Sequence, residues 1–253
     1  MNKTINSVKE QNYDDFEFIV IDGASSDKSK TIIEKKNNYI NKWISEPDNG
    51  IYNAMNKGIN LSSGEYCIFI NSGDTLTDDS VLTDVAKTLD GTDIIYGNII
   101  NGKKIQNFPS VLSGYYFYKY SIAHPGTFIK SKLFDLYGDY DEKLKVVSDW
   151  KFFFDVIVRK GCSTKKINRI ISQFEDDGIS NQEEGRKIAT YEREKVVNEL
   201  FHEQIVTDWH KLDEILHSEE WLIGNYVSQN HFVKKLILKW IYKLKIHLKV
   251  KIK

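Results

Sequence analysis

The sequence predicts an α/β fold in which a mostly parallel, Rossmann-like sheet is flanked by helices and followed by a helical C-terminal extension. Two observations predict this class. Helix-like and strand-like patterns alternate over the first hundred residues, which favours parallel strands joined by right-handed crossovers. In addition, the apolar run at 68–70 ends abruptly in small polar residues, as buried parallel strands do at their carboxyl ends. Ligands bind at that edge of open α/β sheets.

The first hundred residues carry the clearest periodicity. Amphipathic helices are predicted over residues 3–11, 28–37, 53–61 and 79–89. Strands are predicted over residues 16–21, 42–45, 65–70 and 93–98. Glycine-bearing turns separate these patterns, which gives the βαβ order expected of a doubly wound sheet.

Beyond residue 100 the pattern is less regular. An aromatic cluster at 115–120 comes first, and a helix is expected to start at Ser131. A strong helix is predicted from Val147 to about Lys160, with Trp150 and Phe153 on its inward side. An edge strand over 167–174 and helices over 185–206 and 209–222 follow. We therefore expect a sheet domain over 1–180 and a helical extension over 181–253.

Composition limits the functional classes. The 35 basic and 36 acidic residues balance, so the net charge gives no sign of nucleic-acid binding, and none is expected. Cys67 and Cys162 have no metal-binding or disulfide spacing, which fits a reducing compartment. Polar residues follow Met1, and no apolar run is long enough to span a membrane. We expect a cytoplasmic protein.

Candidate site residues lie where two predicted strands end. Asp22 and Gly23 follow strand 16–21, whereas Asn71 and Asp74 follow strand 65–70. A carboxylate at this edge suits a divalent cation and the phosphates that it neutralises. The alternative is structural, since Asx-type turns and helix caps use the same residue types.

Polar residues also precede or open predicted helices. Asp48, Gly50 and Asn53 lie at a helix start, where backbone donors favour an anion, although an ordinary turn and cap would look the same. Asp149 is either an N-terminal cap favoured by the helix dipole or a general base held near the sheet edge. His124, before a proline, is either a structural histidine or a ligand contact.

Together and in this order, these motifs resemble those of the family 2 glycosyltransferases. The matching stretches are Asp22-Gly-Ala-Ser-Ser-Asp27, Asp48-Asn-Gly-Ile-Tyr-Asn-Ala-Met-Asn56-Lys-Gly58, Asn71-Ser-Gly-Asp74 and Asp149 at a helix start. The similarity covers about residues 3–180 and is strongest to bacterial enzymes that build surface polysaccharides. It implies a GT-A fold.

The resemblance also implies roles for single residues. Asp22 would contact the base of a sugar nucleotide, Asp74 would bind the metal, and Asp149 would be the catalytic base. The implied donor-binding set is Asp22, Gly23, Asp48, Gly50, Asn53 and Asn71. His124 and Trp150 are assigned to the acceptor side.

The implied reaction transfers a sugar from a nucleotide diphosphate donor, expected to be a UDP-sugar, to a hydroxyl of a glycan or lipid-linked acceptor. A single displacement with inversion is expected, in which Asp149 takes the acceptor proton. Mn²⁺ or Mg²⁺ on Asp74 would neutralise the leaving diphosphate. The product would serve cell-surface polysaccharide biosynthesis.

The sequence departs from the family pattern in two places. Gly73 stands where an acidic residue is common, so one ribose or metal contact is either missing or supplied by Asn71. The sequence also begins inside the first helix, after the family's first strand, so the 1–180 domain is expected to be N-terminally truncated. The alternative function is an inactive remnant that acts, if at all, as a binding protein. A nucleotidyltransferase would need a Gly-rich loop with Arg and Lys near its start, and this sequence has none.

The last residues suggest a membrane contact. From His231 to Lys253 there are eight lysines and no acidic residue. Phe232, Leu236 and Trp240 belong to an apolar stripe between these lysines, as in interfacial helices. We expect peripheral attachment to the inner face of an anionic membrane; the alternative is a helix packed on the body of the protein.

Overall fold

The computed structural model describes residues 1–174 and 182–239. The strands of this part of the chain are β1 (Ile19–Asp22), β2 (Lys42–Ser45), β3 (Tyr66–Cys67), β4 (Thr75–Leu76), β5 (Ile94–Asn101), β6 (Lys104–Gln106), β7 (Thr127–Lys130) and β8 (Thr164–Phe174). The helices are α1 (Asn2–Lys9), α2 (Ser29–Lys35), α3 (Ile51–Leu61), α4 (Val81–Ala86), α5 (Gly114–Lys119), α6 (Lys132–Tyr137), α7 (Ser148–Phe153), α8 (Glu183–Leu200), α9 (Glu203–His217) and α10 (Glu219–Gln229). A π-helical turn, Phe154–Arg159, extends α7, and residues 231–239 are also helical.

The chain divides into two compact units, Met1–Leu200 and Phe201–Lys253. The strands listed above and α1 to α8 belong to the first unit. In the second, the ring of Phe201 packs edge-on against Trp209, with ring centroids 4.9 Å apart. The predicted domain boundary at residue 180 lies in 175–181, outside the described residues.

The first unit contains two sheets. β1 and β2 pair in parallel, and the other strands form a six-stranded sheet in the order β3-β7-β5-β8-β4, with β6 on β5. In this second sheet, as far as it is described, β5 and β8 run parallel and the remaining pairs are antiparallel. The α/β class is confirmed, but the pairing is mixed rather than mostly parallel. The short strands β4, β6 and β7 have 2, 3 and 4 residues, too few for a pattern that reveals their direction.

Two other expectations are corrected. The predicted edge strand at 167–174 is β8, which lies inside the sheet between β5 and β4. Arg169 of this strand is accommodated inside the sheet because its guanidinium pairs with Asp78 and Asp84. The helix predicted over 185–206 is interrupted after Leu200, because His202 starts α9 by accepting the Gln204 N–H.

β1 and the segment after β3 face a common groove. The strand predicted over 65–70 pairs only at Tyr66 and Cys67, and residues 68–70 belong to no strand. Extended backbone needs a ladder partner, and within the described chain β1 pairs only with β2, so the apolar sequence of 68–70 does not suffice to form a strand. The groove has a volume of about 1490 Å³.

Helix α1 joins the cores of the two sheets. Ile5 packs in a buried cluster with Val20 and Ile33 near β1, whereas Val8 packs in a larger cluster that includes Ile95 of β5. Full burial of one such side chain contributes about 1.5–3 kcal/mol. This short helix therefore fixes the position of β1 relative to the larger sheet.

Candidate active site

The groove extends from β1 and β3 to the start of α7 and carries many of the polar groups predicted from the sequence. The predicted site residues that line it are Asp48, Asn71, Asp74, His124, Asp149 and Trp150. Four others are not among its lining residues and lie beside it at the end of β1 and the start of α3, namely Asp22, Gly23, Gly50 and Asn53.

The carboxylate of Asp22 joins the ends of β1 and β2. Ser45 Oγ donates to its Oδ2 at 2.7 Å, and the Ser25 N–H approaches its two oxygens at 3.4 and 3.3 Å. The residue is 3% exposed, and these donors compensate the burial of its charge. Asp22 thus shapes the turn after β1, and its contact with a nucleotide base stays a prediction.

Gly23 allows Asp48 to approach the end of β1. A Cβ at position 23 would stand 2.8 Å from Asp48 Cγ, so a larger residue would displace this carboxylate. Asp48 Oδ1 accepts the Gly50 N–H at 3.0 Å, and Gly50 has φ 118°, which glycine adopts at little cost. The turn before α3 therefore presents the half-buried Asp48 to the groove.

Two asparagine side chains of α3 form hydrogen bonds with other parts of the protein. Asn53 and Asn56 donate to the two oxygens of Glu142 at 3.0 and 2.9 Å. The Asn56 amide also exchanges two hydrogen bonds with the backbone of Tyr140. These contacts fasten α3 to the loop after α6. They give Asn53 a structural partner, and its predicted contact with the donor is untested.

The start of α1 shapes the turn at 71–74. The Gly73 N–H donates to Thr4 Oγ1 at 3.0 Å, and the Met1 amino group donates to Ser72 Oγ at 2.7 Å. Gly73 has φ 109°, so this position favours glycine. Asp74, whose N–H donates to the Asn71 carbonyl at 3.0 Å, is 3% exposed at the inner end of the turn.

Asp74 supplies a donor set that suits a substrate-bound metal. In 1–174 and 182–239, no group of three or more His, Cys, Asp or Glu side chains is placed to hold a metal ion. Mg²⁺ is commonly held by one or two carboxylates, with substrate phosphates and water completing its shell. The single Asp74 carboxylate at the groove fits a metal ion whose other ligands are substrate phosphates and water, and does not fit a site made of protein ligands alone.

Tyr52 orients the Asp149 carboxylate. Its hydroxyl lies 2.8 Å from Asp149 Oδ1 and 2.7 Å from the Val146 carbonyl oxygen. Burial and the nearby Asp149 charge raise the pKa of Tyr52, so its hydroxyl keeps its single proton, which these two acceptors share. The other oxygen, Oδ2, lies 4.0 Å from His124 Nδ1.

His124 stands between Asp149 and a buried tyrosine. Its Nε2 lies 2.8 Å from the Tyr140 hydroxyl, and the residue is 6% exposed. Burial lowers the pKa of His124 and the Asp149 charge opposes this, so the net direction favours the neutral imidazole. Asp149 therefore has a polar but uncharged neighbour on each side, Tyr52 and His124.

Glu192 of α8 holds the segment that leads into α7. Its carboxylate accepts the backbone N–H groups of Lys145, Val146 and Val147 at 2.6, 3.0 and 3.3 Å. Glu192 is 6% exposed, so these donors satisfy a buried charge. Asp149 lies two residues after Val147, so Glu192 of α8 supports the segment that carries this carboxylate.

Sequence reasoning missed four residues of this site: Tyr52, Tyr140, Glu192 and Arg193. Tyr52 lies within the matched stretch 48–58, so the motif held a signal for it. Glu192 and Arg193 occur in a charged helix where nothing in the sequence distinguishes them from solvated neighbours. The partners of Glu192 and Arg193 are 43 or more residues away in the sequence, as with Arg193 and Trp150.

The arrangement matches a known family. A family model described as glycosyl transferase family 2 matches residues 1–140, more than half of the chain. The chain belongs to this family. The resemblance stated from the sequence is thereby confirmed, and the protein is a family 2 glycosyltransferase.

Relatives and solved structures agree with this assignment. This glycosyltransferase is 24% identical over 185 residues to a PGL/p-HBAD biosynthesis glycosyltransferase of Mycobacterium bovis, covering 70% of this chain and 72% of the relative. Staphylococcus aureus TarS 1–349 in complex with UDP-GlcNAc superposes with a TM-score of 0.60 at 19% identity, covering 87% of this chain and 66% of that one. The mannosyltransferase PcManGT from Pyrobaculum calidifontis, in complex with GDP-Man and Mn²⁺, gives a TM-score of 0.54 at 14% identity, covering 68% and 51%.

The solved structures establish the GT-A-like fold and no more, because their identities are low. This glycosyltransferase spans less than two thirds of either solved chain. Within the described residues, no helix combines the length and the apolarity that crossing a bilayer requires.

Proposed function

We propose that this glycosyltransferase moves a sugar from a UDP-sugar to a hydroxyl of a glycan or lipid-linked acceptor, with inversion and with a divalent metal, in cell-surface polysaccharide biosynthesis. One observation carries the proposal: Asp149, oriented by Tyr52, lines the same groove as Asp74. A base and a metal-binding carboxylate in one groove suit the displacement of a diphosphate by an activated hydroxyl.

The chemistry assigned to Asp149 is that of a general base. The acceptor oxygen bonds to the anomeric carbon as the bond to the diphosphate breaks, and Asp149 accepts the hydroxyl proton. Tyr52 occupies Oδ1, so Oδ2 is the oxygen that would face the acceptor. A well-placed base contributes about 10²–10⁴-fold to the rate.

Asp74 would hold Mn²⁺ or Mg²⁺, which when bound would neutralise charge on the leaving diphosphate. The burial of Asp74 at the groove supports this role, and PcManGT was solved with GDP-Man and Mn²⁺. TarS with UDP-GlcNAc supports UDP as the nucleotide. The proposed donor pocket consists of Asp22, Gly23, Asp48, Gly50, Asn53 and Asn71.

A thermal-shift experiment with UDP, GDP and dTDP, each with and without Mn²⁺, tests the donor site. A nucleotide at 100 times its Kd adds about 2.7 kcal/mol, which for a chain of this size raises the Tm by about 5–10 °C. We expect a Mn²⁺-dependent rise with UDP that is lost in Asp74→Asn and kept in Asp79→Asn, an exposed control. An unchanged rise in Asp74→Asn would remove Asp74 from the metal site.

A transfer assay tests the base. Asp149→Asn is expected to lower the rate of sugar transfer at least 100-fold while leaving the Kd for UDP within twofold, because the base meets the acceptor and not the nucleotide. Equal loss of UDP binding would instead make Asp149 a structural residue.

We also propose that residues 231–253 contact a membrane surface. In the described part, 231–239, Phe232 and Leu236 are 71% and 52% exposed on a helix that also carries Lys234 and Lys235. Exposed apolar side chains among lysines suit an interface with anionic lipid; residues 240–253 lie outside the described residues.

Cosedimentation with vesicles tests this contact. Binding to vesicles containing phosphatidylglycerol, absent with pure phosphatidylcholine, is expected to disappear when 231–253 is deleted. Binding that survives the deletion would contradict the assignment.

A further inference from the structure

Arg193 of α8 lines the groove near Asp149, the proposed base. Its guanidinium stands 4.7 Å from the ring centroid of Trp150, and its Nη1 donates to the Lys119 carbonyl at 3.2 Å. Trp150 follows Asp149 in the chain, so Arg193 lies over the residue next to the proposed base. Both Arg193 and Asp149 line the groove.

The position of this guanidinium is fixed on several sides. The buried indole of Trp150 donates its Nε1–H to the carbonyls of Phe117 and Tyr120, at 2.8 and 3.1 Å. The adjacent Glu192 anchors the same turn of α8 to the backbone before α7. Arg193 is therefore held in place before any ligand arrives, which lowers the cost of binding through it.

The charge of Arg193 has no direct partner in the described chain. No carboxylate oxygen of the described residues lies within 4.0 Å of its guanidinium nitrogens, and its contacts are a ring and a carbonyl. Burial lowers the pKa of Arg193, and the Asp149 charge partly offsets this effect. A half-buried guanidinium without a salt bridge is suited to an anion that a ligand supplies.

Other residues on the same face of α8 as Arg193 also line the groove. Arg186, Ala189, Thr190 and Arg193 all line the groove. Their spacing of three, four and seven residues places them on one stripe of the helix. This stripe combines two guanidinium groups, a hydroxyl and a small residue, which suits the oxygens of a phosphoryl group.

We propose, building on the function above, that Arg193, with Arg186 on the same stripe, binds a phosphoryl group of the acceptor. The acceptor would then be a glycan or lipid-linked acceptor that carries a phosphate or diphosphate near the hydroxyl presented to Asp149. The diphosphate of the donor is the other possible source of a phosphoryl group. In the function proposed above, a metal on Asp74 neutralises that diphosphate, whereas Arg193 lies over Trp150, the residue next to the proposed base.

Arginine side-chain NMR can separate these sources, because the chain contains four arginines: Arg159, Arg169, Arg186 and Arg193. Arg159 and Arg169 are paired with Asp155 and Asp84, so their Nε–Hε signals serve as internal controls. Inorganic phosphate is titrated into ¹⁵N-labelled full-length chain saturated with UDP and Mg²⁺, which blocks the donor site. Arg193→Lys identifies the Arg193 signal.

We expect saturable shifts of the Arg193 and Arg186 signals and no shift for Arg159 or Arg169. Arg193→Gln should raise the Kd for phosphate about 10- to 100-fold, the range expected for a hydrogen bond to a charged group, and leave the Kd for UDP within twofold. Lys195→Gln, which removes an exposed charge from the same helix, should change neither.

Three results would overturn the proposal. If UDP alone shifts the Arg193 signal and Arg193→Gln weakens UDP binding, the phosphoryl group is the donor's. If phosphate does not shift Arg193 in the UDP-saturated protein, Arg193 only supports Trp150. Phosphate binding with equal Kd in the wild type and in Arg193→Gln would place the anion elsewhere. Absence of UDP binding to the wild type would contradict the proposed donor site instead.

Discussion

At the scale of single residues, the two side chains nearest to the carboxylate of the proposed base are uncharged, and the guanidinium of Arg193 is the charged group that acts on it from farther away. Tyr52 donates to Asp149 Oδ1, and the neutral His124 lies near Oδ2. A neutral donor fixes the direction of a carboxylate without pairing its charge, whereas a lysine there would stabilise the carboxylate and weaken it as a base.

Tyr52→Phe tests this orientation. Loss of the hydroxyl removes one hydrogen bond to a charged group, worth about 1.5–3 kcal/mol, and allows the Asp149 carboxylate to rotate. We expect kcat for sugar transfer to fall about 10- to 100-fold with the Kd for UDP unchanged. Tyr191→Phe, at a tyrosine that is 70% exposed, is the matched control and should behave as wild type. An unchanged kcat in Tyr52→Phe would show that the hydroxyl does not orient the base.

The burial of His124 predicts a dependence of stability on pH. Its pKa is lowered from 6.5 in the folded state, so the unfolded state binds a proton more readily as the pH falls. The free energy of unfolding should therefore decrease as pH falls below about 6.5. Urea unfolding at pH 7.5 and pH 5.5 should show a smaller decrease in His124→Gln than in the wild type. Equal decreases would assign the effect to other groups.

At the scale of elements, most helices and the long strands could be predicted from sequence, whereas α5 and the break between α9 and α10 could not. β5 was predicted because β-branched residues cluster there, and α1, α3 and α7 because their apolar stripes are regular. The strand predicted over 65–70 is longer than the observed strand, which pairs only at Tyr66 and Cys67. Strand pairing requires a neighbouring strand, and the local sequence does not indicate whether one is present. The roles of β8 and α8 also depend on distant partners such as Arg169 and Glu192.

Glu192→Ala tests the connection between α8 and α7. The change leaves three backbone N–H groups before α7 without their acceptor, so the free energy of unfolding should fall by about 3 kcal/mol. Transfer activity should fall as well, because Asp149 follows this segment. Glu194→Ala removes an exposed carboxylate from the same helix and should change stability by less than about 0.5 kcal/mol. Denaturant unfolding measures both variants, and equal effects would refute the anchoring role.

At the scale of the whole molecule, the proposed site is assembled from elements far apart in the sequence but within one compact unit. Asp48 precedes α3, Asp74 follows β3, Asp149 lies on α7 and Arg193 on α8. All fall within Met1–Leu200. The family model ends at residue 140, so the proposed base Asp149 and the whole of α8 lie outside the matched region, whereas His124 lies inside it.

This division predicts how the chain responds to truncation. A chain ending at Leu200 retains every residue assigned to the donor site, the base and the proposed phosphoryl site, so it should bind UDP with a Kd within twofold of the full-length value. A chain ending at Phe174 lacks Glu192, and its α7 should be less stable, which would appear as a lower Tm. Calorimetry with UDP and thermal unfolding compare the two forms. If the chain ending at Leu200 lost UDP binding, the second unit would have to contribute to the donor site, and the site could not be complete in Met1–Leu200.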